Sequence, residues 1–76
     1  MNYRIKEMRV KNIVIGNSYR HKDHPYYGWA KVVTVLRPKE VENTTRRIVV
    51  KCQWSINKND TFGLIKYFRP MDLLPN

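Results

Sequence analysis

The chain has 76 residues, with fifteen Lys and Arg against six Asp and Glu for a formal charge of +9, and nine aromatic side chains spread among those charges. A folded chain of this size hides only about 60% of the surface its unfolded form exposes, which allows one domain with a thin core and argues against a deep catalytic pocket. A single cysteine, Cys52, rules out an internal disulfide and a zinc site made mainly of thiolates; a charged N-terminus and the lack of any apolar run near 20 residues give neither a secretion signal nor a membrane span, so an intracellular, cytoplasmic chain is expected.

In chain order, Tyr3 to Val10 carries apolar residues at Tyr3, Ile5, Met8 and Val10, and residues 1–12 are expected to be an N-terminal strand or a basic arm. Ile13-Val14-Ile15 leads into a Gly16-Asn17 turn, a short strand at Ser18-Tyr19-Arg20, and a loop from His21 to Tyr27. From Trp29 to Arg37 the period is two. Strict alternation places Ala30, Val32, Thr34 and Leu36 on one face and Lys31, Val33, Val35 and Arg37 on the other, and Pro38 ends the strand. Arg46 to Trp54 repeats the pattern, with Ile48, Val50, Cys52 and Trp54 inward and Arg47, Val49, Lys51 and Gln53 outward. Thr61 to Phe68 is a third long strand in which Gly63 marks a bulge or a close backbone approach. The polar stretches 39–45 and 55–60 suit hairpin loops, and Pro70 is placed to start one helical turn near the C-terminus. The Asn-X-Thr matches at Asn43 and Asn59 have no secretion route to give them meaning as glycosylation sites.

Short strands, tight turns and a closing helical turn predict an all-β fold, a small, strongly bent antiparallel barrel over residues 13–74. The run Ile15-Gly16-Asn17-Ser18-Tyr19-Arg20, the later Tyr27-Gly28-Trp29-Ala30-Lys31-Val32, a central hairpin and Phe68-Arg69-Pro70-Met71-Asp72-Leu73 together resemble the SH3-like barrels of the Tudor, chromo and KOW type. That resemblance implies a binding module whose ligand is RNA, DNA, a methylated tail or a protein, and the fold does not choose among them.

Charge narrows the choice. Residues 1–11 carry four basic side chains and one acidic, residues 20–39 five and one, residues 46–58 four and none, while residues 59–76 are neutral. A net magnitude of about 2 to 8 suffices for solubility in a small domain, so the excess points to a polyanion, nucleic acid first. If the two valine-rich strands pair, alternation gathers Lys31, Arg37, Arg47 and Lys51 on one sheet face as phosphate contacts, with Arg20 and Lys22 beside them. Tyr26 and Trp29 in the aromatic loop would stack on bases, although Tyr27 and Trp29 also suit the closing of a barrel end. His21, Asp23 and His24 crowd too closely to make a good metal set, no catalytic motif surrounds any Ser, His or Cys, and no cofactor is implied. The expected function is therefore non-catalytic nucleic-acid binding of low sequence specificity. A small interaction module, such as a phage-type inhibitor docking on an acidic surface of a larger enzyme, fits the same brevity and charge. A homodimer through Val33, Val35 and Val49 is a further expectation for that sheet face.

Overall fold

Four antiparallel strands form one sheet in the computed structural model of the chain, which describes residues 8–75. They are β1 (Ser18–Tyr19), β2 (Trp29–Leu36), β3 (Val49–Ser55) and β4 (Leu64–Phe68), and each pairs with its neighbour in sequence. Single 3₁₀ turns at Val10–Asn12 and Pro70–Asp72 flank them. The all-β expectation holds; the closed barrel does not, because β1 and β4 remain separate edges of the sheet. After the second 3₁₀ turn the chain returns to the extension of β1 instead. His21 and Leu73 form a bridge there, and hydrogen bonds of 2.8 Å run from the Lys22 amide to the Asp72 carbonyl and from the Leu74 amide to the Arg20 carbonyl.

Local chemistry explains where the elements start. The strand expected over residues 3–10 lies mostly outside the described residues, and its described end bends away: Val10 opens a 3₁₀ turn closed by a 3.1 Å bond from the Ile13 amide to the Val10 carbonyl. Gly16 takes φ +92° in the turn that joins Val14 to Asn17, a value suited to a residue without a Cβ. Arg46 and Arg47 stay out of β3 because a buried Asn43 claims their segment. Its Nδ2 donates to the carbonyls of Leu36 (3.2 Å) and Arg47 (2.8 Å), while its Oδ1 accepts from the Thr45 amide (2.9 Å) and hydroxyl (2.7 Å). β4 begins only after Gly63, whose missing Cβ would stand 2.5 Å from the Trp54 carbonyl oxygen, so the close backbone approach is real.

Met8, Ile13, Tyr19, Ala30, Val32, Val50, Cys52 and Leu73 make the core, and Val35, Trp54 and Phe68 pack against it. One irregularity redistributes the faces. Val32 pairs with Cys52 but Thr34 pairs with Lys51, so Val33 is the extra residue of a β-bulge. Beyond it the alternation read from sequence is inverted: Val35 turns to the core, whereas Thr34 and Leu36 align with Lys51 and Val49 on the opposite face. Leu36 is buried there, outside the main core cluster. The Val33/Val35/Val49 patch expected as a dimer surface is consequently not formed as one surface.

Candidate nucleic-acid interface

On the face opposite the core, the register lines up Ser18, Lys31, Gln53 and Ile65 in one row and Thr34, Lys51 and Tyr67 in the next. Toward the start of β2 this face becomes cationic. The Arg20 guanidinium lies 3.6 Å from the centroid of the Trp29 ring, and the Lys58 ammonium lies over the same ring at 4.9 Å. Arg20 is held by a 3.0 Å hydrogen bond from its Nη1 to the Gly28 carbonyl. Two residues along β2, Lys31 joins Lys58, Asn17 and Asn59 in lining an open, mostly polar concavity of about 360 Å³ whose backbone wall includes Gly16. Arg20, Lys31 and Lys58 have no carboxylate partner among the described residues.

Of the eight residues singled out from sequence, the fold thus brings Arg20, Trp29 and Lys31 together and separates the rest. Lys51 shares the face of Lys31, but its ammonium is 2.7 Å from Glu42, and that hydrogen bond raises its pKa above the ordinary lysine value. Arg37 is shifted by the bulge: with the alternation inverted, the position after Leu36 falls on the side opposite Lys31. Arg47 lies outside β3, its backbone tied to Asn43 and Thr45, and it stands with Arg9 and Arg69 around an apolar groove of about 530 Å³ floored by Met8, Val10, Ile48, Pro70 and Met71. Lys22 pairs with Asp72 at 3.2 Å on the returning C-terminal segment. Tyr26 sits at the tip of its loop, 94% exposed. Bulge, loop and internal ion pair thus disperse the four-cation strand face expected from sequence.

The loop 21–27 is built around a ring cluster. His21 lies 4.9 Å from Phe68 and 6.5 Å from Trp54, His24 lies 6.5 Å from Trp54, and Trp54 lies 5.8 Å from Phe68, all between centroids. Gly28 ends the loop with φ +78°, directly against the Trp54 indole, where a Cβ would overlap the ring. This packing fixes the carbonyl that Arg20 uses. Among the described residues no group of three or more His, Cys, Asp or Glu side chains is placed to hold a metal ion.

Lys58 was the contributor missed from sequence. It lies in the β3–β4 connection, and only the pairing of Trp29 with Ser55 carries that connection to the Trp29 ring. Its flanking Asn57 and Asn59 mark a turn in sequence, but nothing local links the turn to a tryptophan 29 positions earlier.

Comparison with known proteins finds no matching family model, no matching curated protein and no matching solved structure. Among the described residues, no helix is long and apolar enough to cross a membrane.

Proposed function

We propose that this protein binds nucleic acid without chemistry and with little sequence preference, through Arg20, Lys31 and Lys58 gathered around Trp29. One observation carries the reading. Of the thirteen Lys and Arg side chains in residues 8–75, only Lys22, Lys51 and Arg69 have a carboxylate partner among the described residues, and three of the remaining ten converge beside a polar concavity. Unneutralised cations at that spacing suit phosphate oxygens, and Asn17, Asn59 and Gln53 add donors for phosphate or sugar. No recognition helix accompanies them among the described residues, which is why the proposal is of low specificity. Trp29 serves mainly to position Arg20 and Lys58, and Tyr26, with its exposed ring, is the better candidate for stacking on an unpaired base.

The proposal includes an SH3-like arrangement of the sheet. It is supported by the order of strand, loop, three-stranded meander and 3₁₀ turn, and by the return of the C-terminal segment to the first strand.

A salt titration on mixed-sequence duplex tests the interface. Three phosphate contacts predict a log-log slope of roughly −3, at about −0.9 per phosphate. Joint reversal of Lys31→Glu and Lys58→Glu should flatten that slope and weaken binding strongly, whereas Lys51→Glu, acting at a cation already paired with Glu42, should do far less. Binding that ignores the double reversal would sink the reading.

A further inference from the structure

The two edges of the sheet are treated differently. Beside β1, the returning C-terminal segment covers the outer side of the extension through Arg20 and Lys22. At β4 nothing comparable happens. Beyond its ladder with β3, no backbone hydrogen bond reaches residues 61–68 among the described residues, so the outward N–H and C=O groups of Leu64–Phe68 stay open. Soluble proteins ordinarily blunt such an edge with proline, a strong bulge or several charges. Here the strand is Leu-Ile-Lys-Tyr-Phe, its ladder to β3 runs without a register break, and Lys66 is its one charge. Its apolar side chains are displayed: Leu64 is 70% exposed, Ile65 46%, Tyr67 49%, and Phe62 just before the strand 86%.

We propose that the free edge of β4 receives an extended, carboxylate-bearing segment of a partner protein, which adds to the sheet as an additional strand. Main-chain bonds to the open edge would supply attachment, and alternate side chains of the guest would meet Ile65 and Tyr67 on one face and Leu64 and Lys66 on the other. Charge selects the guest. Lys66 is at the middle of the edge with no carboxylate partner among the described residues, and the chain as a whole carries +9, so an acidic strand is attracted. The same charge disfavours a second copy of this chain, since antiparallel self-pairing centred on β4 would set Lys66 against Lys66 in addition to the general repulsion. β3 stands between this edge and Lys31 on β2, and the inference does not rest on nucleic-acid binding.

The test uses the full chain and a short synthetic peptide alternating valine and glutamate, together with the same peptide N-methylated along one backbone edge. Amide hydrogen exchange followed by NMR should show new protection at alternate residues of Leu64–Phe68 on adding the first peptide. N-methylation, which removes main-chain donors and keeps the side chains, should weaken binding about tenfold, the equivalent of one or two net hydrogen bonds. Lys66→Glu should also weaken peptide binding while leaving duplex affinity unchanged. Equal affinity for both peptides, protection at Arg20 and Lys31 instead of β4, no peptide binding at all, or a concentration-dependent dimer that buries β4 without peptide would each overturn the proposal. Protection of the same β4 amides by a single-stranded oligonucleotide that displaces the peptide would overturn it too, by assigning the edge to nucleic acid.

Discussion

Asn43 satisfies four polar partners with one amide, and it is among the few buried polar side chains of the described chain. In sequence it looks like part of a meaningless sequon, because nothing within a few residues shows that its loop folds back over the end of β2. Asn43→Ala would take the side-chain donor from the Leu36 carbonyl and leave the Arg47 carbonyl to the Thr45 hydroxyl alone, at a cost of about 1–3 kcal/mol. Asn43→Asp keeps the acceptor for Thr45 but turns a carboxylate oxygen toward those two carbonyls, so it should be at least as damaging. Urea unfolding of both variants checks this; an Asp variant as stable as the parent would show that the 37–48 connection is held some other way. Cys52 gives the opposite lesson, since its place on the apolar face of a strand was readable from alternation alone. Burial pushes its thiol up to about 12, as befits a core residue.

Elements were legible where hydrophobic period, proline and glycine agree. β2, the turn at Gly16 and the 3₁₀ turn opened by Pro70 fall close to where the residues place them. The bulge at Val33 was not legible, because Val-Val-Thr-Val offers apolar residues to either face and the choice depends on which partners lie across the ladder. A single residue of slip was enough to send Val35 inward and to take Arg37 off the face of Lys31. The returning C-terminal segment depends on Asp72 in a similar way. Burial pushes its carboxyl up, but hydrogen bonds from Arg69 and Lys22, with the Arg69 amide, outweigh burial and hold the pKa below the ordinary 3.8. Because the folded value is the lower one, the stabilisation is complete above the ordinary value and fades as the pH falls through the folded one. Acidification below about pH 4 should therefore loosen residues 70–74 before the β2–β3 pair, visible as early exchange of the Leu74 amide, and Asp72→Asn should remove that step. An acid transition unchanged by this substitution would refute the assignment.

At the scale of the molecule, a charge of +9 with ten described cations lacking carboxylate partners makes self-repulsion a standing term against folding. Screening should relieve it. Raising salt from low to physiological strength should raise the thermal midpoint, by about 4–8 °C for each kcal/mol relieved, while the same salt should weaken the proposed nucleic-acid binding. A midpoint that falls with salt would mean that the few ion pairs, Lys51–Glu42 and Lys22–Asp72–Arg69, outweigh the repulsion. Both responses of opposite sign follow from composition, and composition together with alternation already gives an all-β chain with a thin core, one buried thiol and an excess of positive charge. Which cations stand together was decided only in three dimensions. Strand register, one bulge and two loop closures bring residues 20, 31 and 58 to a common place and take 37, 47 and 51 out of it, and those are set by contacts between segments far apart in the chain, to which local periodicity is blind.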